Sequence, residues 1–352
     1  MFSFSLAFGV VELYVRYYNP QEVTPIRFVF DPQRGDIPTP NQRGRKIRPG
    51  VFDHTYSNNS LGLRGSKEYT YKRQTEHRIL FLGDSFTYGF GVNDDQTFPY
   101  LTEKRLLKDH LSVEVMNSGC SGKGTDYELN FFQVLGKKFS PDLVVLCFGA
   151  NDFIDNERGE YFRISQDGEI ARKPLNNNKG TIKTILYNLH GYNWLVSWSQ
   201  AANLVKDAAI KWFFRHFDPK AIKTGGLVVS YPEYFQGYNN QENAKSTEIY
   251  VRNLIQSVKE AGGSLMICYI PMSIEVEGYR KNGNIDQDET VIKNIAQKYD
   301  EAFYSLTPVF AASPESLRKL YFIPADGHWT AAGHALAAQY LSEQIWNQWQ
   351  HK

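Results

Sequence analysis

Four short stretches of this chain carry side chains able to do nucleophilic chemistry. The run Ile79-Leu80-Phe81-Leu82 stops at Gly83-Asp84-Ser85. An apolar, strand-like segment therefore delivers an acid and a hydroxyl at its end. Asp and Ser are also good helix caps, and a cap is the competing explanation. The second stretch, Asn117 to Thr125, reads NSGCSGKGT, a glycine-rich turn. The third, Gly149 to Asp152, reads GAND and supplies the amide of Asn151. The fourth, Ala325 to Trp329, reads ADGHW and supplies Asp326 and His328. Taken singly, a turn explains the glycines and a structural histidine explains His328. Taken together, a hydroxyl, a glycine turn, an amide and an Asp-x-His pair have the look of a hydrolase site.

These stretches can meet only if the elements carrying them end at one edge. From Arg78 onward, strand-like runs at 78–82, 112–116, 142–148, 264–270 and 303–306 alternate with helical stretches, notably 97–108 and 125–138. A last helix runs from about Ala331 to Trp349. Such alternation predicts an α/β fold, a three-layer α/β/α sandwich around a central parallel sheet, with right-handed connections. Ligands of open parallel sheets bind outside the carboxyl ends of the strands, where the stretches above fall.

The alternation breaks at 153–240, which is too long for a structureless loop and predicts an inserted, partly helical cap. Within it, Leu195, Trp198, Ala202, Val205, Ala209 and Trp212 recur at helical spacing, with Lys206, Lys211, Arg215 and His216 on a basic side. A core-facing stripe is the commoner meaning of such spacing, and a membrane-surface helix the sharper one. Residues 19–77, rich in Pro, Asn, Gly and Arg, read as an irregular N-terminal extension. Residues 1–18 are apolar and aromatic but interrupted by Glu12. They read either as the remnant of an N-terminal membrane anchor or as a helix packed on the body, since a spanning helix wants about 20 apolar residues. The first alternative would give a membrane contact through the N-terminus and favours an extracytoplasmic, membrane-anchored location over the cytoplasm.

Composition narrows the class. The 352 residues are 42% hydrophobic and 22% charged, enough apolar content for a sizeable core. The formal net charge of +1 provides no global electrostatic attraction to nucleic acid. A basic cluster at Arg43, Arg45, Lys46 and Arg48 reads as a solvated loop. Cys120, Cys147 and Cys268 form no disulfide framework or CxxC pattern, and read as buried thiols. Neither an HExxH motif nor a His/Cys cluster occurs, so no metal and no cofactor are expected.

The four stretches resemble the blocks of the SGNH hydrolase superfamily, the GDSL-type esterases and lipases. Gly83-Asp84-Ser85 matches the nucleophile block, NSGCSG the second block ending at Gly122, GAND the third block with Asn151, and ADGHW the last block with His328. The likeness covers about 78–152 and 262–349 and implies an SGNH, flavodoxin-like core. GHWTAAGHALAA strengthens it, because these enzymes often carry a small-residue helix after the histidine. One departure stands out. Many members place the aspartate three residues before the histidine, where this chain has Ala325; a branch that includes acetylation enzymes of exopolysaccharide pathways uses Asp-x-His, which selects Asp326.

What the resemblance implies is acyl transfer. His328 would take the proton of Ser85, and Asp326 would hold the ring and stabilise the imidazolium. The N–H groups of Ser85 and Gly122 and the amide of Asn151 would form the oxyanion hole. The expected substrate is an O-acyl ester on a carbohydrate or lipid. Transfer of the acyl group to an exopolysaccharide hydroxyl and a non-catalytic binding module are the alternatives. Rival motifs fail: Thr87 breaks a G-x-S-x-G elbow, GKGT lacks P-loop spacing, and GFGVND lacks a third glycine. His334 is expected to face solvent or a helix interface, outside the site.

Overall fold

The computed structural model describes residues 2–21, 28–109, 111–157, 159–176, 190–217 and 241–350. Within the expected insertion, 177–189 and 218–240 therefore lie outside the described residues. In chain order the elements begin with α1 (Phe2–Tyr18) and two hairpins, β1 (Phe28–Asp31) with β2 (Gly35–Pro38), and β3 (Arg43–Arg48) with β4 (Phe52–Ser57). Next come β5 (His77–Leu82), α2 (Ser85–Tyr88), α3 (Phe98–Lys108), β6 (Val113–Asn117), α4 (Thr125–Val134), β7 (Leu143–Phe148) and α5 (Ala150–Glu157). A hairpin, β8 (Phe162–Ile164) with β9 (Ile170–Arg172), precedes α6 (His190–Trp198), α7 (Gln200–Phe217) and α8 (Gln241–Glu260). The chain finishes with β10 (Ser264–Tyr269), α9 (Ser273–Asn282), α10 (Gln287–Lys298), β11 (Ala302–Ser305), α11 (Thr307–Ala312), α12 (Leu317–Leu320) and α13 (Ala331–Gln350).

The central sheet has the order β6-β5-β7-β10-β11 and every pairing in it is parallel. This is the flavodoxin-like order, in which the chain leaves β5 to one side for β6 and returns to the other side for β7. The central strands β7 and β10 read as nearly unbroken apolar runs because both faces are covered, whereas β5 opens on His77 and Arg78 and the edge strand β6 carries Glu114 and Asn117. In β7, Val144, Leu146 and Phe148 face a core shared with Leu129 and Phe132 of α4, Val251 and Leu254 of α8 and Ile292 of α10. Leu143, Val145 and Cys147 face the opposite core, shared with Phe98 and Leu106 of α3 and Ala337 and Leu341 of α13. The period-2 split of one strand thus builds a three-layer sandwich.

The segment read as irregular contains two hairpins. The physical cause is local turn chemistry: Asp31 accepts from the backbone N–H of Gln33 and Arg34, and Gly35 and Gly50 take φ of 76° and 72°. The basic cluster at 43–48 lies on β3 rather than in a solvated loop; Lys46 is buried and Arg45 pairs with Asp53. Cys120, Cys147 and Cys268 are free and buried.

Contacts group the chain into two units. The larger comprises Phe28–Arg43, Tyr56–Asn176 and Gly237–Lys352 and holds the sheet. Residues 153–176, placed in the insertion from sequence, belong to it, since Phe153, Tyr161 and Phe162 join the core of Leu146 and Phe148. The smaller unit comprises Met1–Arg27, Gly44–Thr55 and Asn177–Gln236. There Glu12 does not merely interrupt an apolar run. Its carboxylate accepts from Ser199 Oγ at 2.8 Å and from the N–H groups of Gln200 and Ala201 at 2.9 Å, capping α7. Burial pushes this carboxyl up, but the bonds from Ala201, Gln200, Arg16 and Ser199 outweigh it and bring its pKa to about 2. Among the described residues, no helix is long and apolar enough to cross a membrane.

Arg78 anchors the start of β5. It is 1% exposed, ion-pairs with Glu114 at 3.0 Å, and donates to the carbonyls of Thr70 at 2.7 Å and Phe139 at 2.8 Å. Arg78→Met would leave a buried carboxylate and several carbonyls without this donor. It is expected to cost about 3–5 kcal/mol of stability in denaturant unfolding.

Candidate active site

Ser85 is the first residue of α2, directly beyond β5. The helix cap is not Ser85 but Asp84, whose Oδ1 accepts from Phe86 N–H at 2.8 Å. At the other end Gly89 takes a left-handed φ of 82°, and the N–H groups of Gly89 and Phe90 bond to the Ser85 carbonyl at 3.1 and 3.0 Å. This single turn, closed at both ends, holds the Ser85 side chain at the strand end, partly exposed.

The second stretch is tied to the first through backbone. Ser118 N–H bonds to the Phe81 carbonyl at 3.0 Å and Cys120 N–H to the Gly83 carbonyl at 2.9 Å. Gly119 is required by close approach, because a Cβ there would collide with the backbone of Thr87 and Tyr88. Gly122 is required for a different reason. A Cβ would meet nothing within 4 Å, but its φ of 69° is left-handed. It lies exposed on the turn. The third stretch opens α5, and Asn151 Nδ2 donates to Asp84 Oδ2 at 2.8 Å. One hydrogen of that amide is thereby used and the second remains for another acceptor.

The fourth stretch is a loop closed on itself. Phe322 N–H bonds to the His328 carbonyl at 2.9 Å, Asp326 N–H to the Phe322 carbonyl at 2.8 Å, and Thr330 N–H to the Leu320 carbonyl at 2.8 Å. Asp326 Oδ1 accepts from its own i+2 N–H, that of His328, at 2.9 Å and lies 2.6 Å from His328 Nδ1. An Asx turn explains how an acid only two residues away reaches the ring. The other ring nitrogen, Nε2, lies 2.7 Å from Ser85 Oγ. With Nδ1 protonated toward Asp326, Nε2 is the acceptor for the Ser85 hydroxyl proton.

Comparison with known proteins gives the family. The model of the GDSL-like lipase/acylhydrolase family matches residues 81–336. The chain belongs to that family. An arylesterase of Vibrio mimicus is 34% identical over 79 residues, covering 22% of this chain and 40% of that protein, so this chain spans well under two thirds of its relative's length. Among solved structures, an acetyl xylan esterase from Geobacillus stearothermophilus aligns at 16% identity and TM-score 0.44, over 77% of this chain and 95% of that one. A two-domain esterase active on acetylated mannans aligns at 15% identity and TM-score 0.42, over 76% of this chain and 48% of that one.

In this GDSL-family chain a layer of buried carboxyls underlies the stretches. Glu128 of α4 and Asp152 of α5 are almost wholly inaccessible. Burial, reinforced by repulsion from Asp84 and Asp155, pushes both well above the usual carboxylate range. Asp152 Oδ2 accepts from Gly149 N–H at 2.7 Å, fixing the turn that presents Asn151. Among the described residues, no group of three His, Cys, Asp or Glu side chains is placed to hold a metal ion. His334 lies away from solvent, at a helix interface. It is 1% exposed, its Nδ1 accepts from Phe98 N–H at 3.3 Å, and its ring stacks on Phe98 at 5.8 Å. Burial pushes its pKa down to about 3, so it stays neutral near pH 7.

Sequence reasoning named Asp84 without giving it a partner, and passed over Phe86, Phe90 and Glu128. A cap signal pointed to Asp84; the pairing with Asn151, 67 residues away, has no local signal. For a serine activated through His328, Asp326→Asn is expected to leave the melting temperature nearly unchanged. Turnover should fall on the order of 10⁴-fold, measured as kcat on a chromogenic ester, because the amide stabilises the wrong tautomer.

Proposed function

We propose that this chain is a serine esterase that hydrolyses O-acyl esters, with Ser85 as nucleophile, His328 as general base and Asp326 as the orienting acid. One observation carries the reading: Ser85 Oγ, both His328 ring nitrogens and Asp326 form a continuous relay with spans of 2.7 and 2.6 Å. Membership of the GDSL-like lipase/acylhydrolase family supports it.

In this mechanism His328 Nε2 takes the proton of Ser85 as Oγ attacks the acyl carbon. The imidazolium is held by Asp326 and then protonates the leaving alkoxide. The second hydrogen of Asn151 Nδ2 and the N–H groups of Ser85 and Gly122 stabilise the oxyanion, each such donor contributing on the order of 100- to 1000-fold in rate. Water, activated by the same imidazole, releases the acid. A sugar hydroxyl in place of water would make the same intermediate a donor for transfer.

The substrate is an acylated carbohydrate or an acyl lipid, and we extend the proposal to contact between the smaller unit and a lipid surface. What supports that contact is the exposure of Leu13, Tyr14, Tyr17 and Tyr18 on α1 and of Trp212 on α7, with Tyr and Trp suited to the headgroup region.

Ser85→Ala is expected to abolish turnover of p-nitrophenyl esters and release of acetate from an acetylated polysaccharide, with the melting temperature within a degree or so. Activity retained in this variant would refute the nucleophile. Comparison of short- and long-chain esters separates carbohydrate acetate from lipid as the preferred class. In vesicle flotation the protein should rise with anionic liposomes, and Tyr17→Ser/Trp212→Ser should stay at the bottom; a wild-type chain that does not float refutes the lipid contact.

A further inference from the structure

Two phenyl rings lie against the imidazole of His328, and both come from the segment that also presents Ser85. The Phe86 ring centroid is 4.9 Å from that of His328 at an interplanar angle of 38°. The Phe90 centroid is 4.6 Å away at 32°. The angles are tilted toward stacking rather than edge-on, so each phenyl offers the imidazole its π face. The construction is specific. Phe86 is buried and set by Trp329, 5.3 Å away and nearly perpendicular. Phe90 reaches the same ring because Gly89, in a left-handed conformation, reverses the chain after one turn of α2. A Cβ at Gly89 would strike the Thr97 methyl, which fixes the path of that reversal.

We propose that Phe86 and Phe90 are positioning residues for the base: their π faces hold the His328 ring in the rotation that aims Nε2 at Ser85 and stabilise the imidazolium formed when the proton moves. The inference rests on the serine-esterase reading above. An aromatic face attracts a cation through its quadrupole, and the attraction is absent for neutral imidazole. The stabilisation therefore appears where positive charge develops, which is the condition for raising kcat rather than only tightening binding. Other titratable groups near the ring are Asp326 at Nδ1, Asp84 beside Ser85 at 3.4 Å, and His334, whose buried ring stays neutral. None of them is altered by changing Phe90.

Phe90 is partly exposed, so it can be replaced with little damage to the core. Phe90→Leu keeps an apolar side chain and removes the π face; Phe90→Trp enlarges it. For Phe90→Leu, kcat on p-nitrophenyl acetate is expected to fall about 5- to 20-fold with KM changed less than twofold. The acid limb of the kcat/KM profile should move to lower pH, because the imidazolium loses stabilisation. Phe90→Trp should restore kcat and move the limb back or higher. If the phenyl only dehydrates the ring, Phe90→Leu moves the acid limb to higher pH, which overturns the proposal. An unmoved limb with unchanged kcat overturns it as well. Ser85→Ala run alongside separates the two levels: activity surviving in that variant refutes the nucleophile, whatever Phe90 does.

Discussion

One carboxylate holds the strand ends in register. Asp84 is 4% exposed and its two oxygens look in different directions. Oδ1 accepts from Phe86 N–H and starts the turn that carries Ser85; Oδ2 accepts from Asn151 and fixes the amide at the end of β7. A buried carboxylate demands such donors, since leaving it without them would cost several kcal/mol. Each donor therefore has little freedom to move. The stretch after β5 and the stretch after β7 are locked to each other by the need to satisfy one acid.

That constraint works because of strand order. With β6 on one side of β5 and β7 on the other, the order of strands reverses between β5 and β7, the switch point outside which open parallel sheets bind their ligands. The second stretch joins from the β6 side through backbone bonds to Phe81 and Gly83. The loop of His328 closes upon itself before it meets Ser85. Rigid, self-satisfied loops on a fully buried sheet hold side chains to a fraction of an ångström more readily than long loops do. Burial pushes the carboxyls of Glu128 and Asp152 beneath them well above the usual carboxylate range.

The aromatic surroundings of His328 have a second origin. Trp329 is fully buried and contacts Phe86, Phe98 and Phe310, so the residue beside the histidine is a core anchor. His334, one helix turn into α13, is part of the same packing and not of the site. Two histidines in GHWTAAGH thus differ entirely in role, because one points out over the sheet edge and the other into the helix layer.

Much was legible from residue types alone. Apolar-rich runs of strand length located β5, β6, β7 and β10 within a residue or two, because strands covered on both faces are mostly apolar. The α/β class followed from their alternation with helices. Ser85 and Asn151 were picked out just beyond such runs, and Asp326 and His328 as the acid and the base of the stretch before the last helix. Their meeting was expected only through the likeness to the family's blocks, since Ser85 and His328 are 243 positions apart and nothing local encodes the distance. The bond from Asn151 to Asp84 and the two phenyl rings on the imidazole had no such signal, and for His334 residue types left solvent and a helix interface both open. The hairpins within 28–57 were missed for the opposite reason: strands such as GDIP, RGRKIR and FDHTYS carry no apolar run to rise above the turn signals around them. Local pattern is set by near neighbours along the chain, whereas the site is set by which elements the packing brings together, and only the folded chain carries that information.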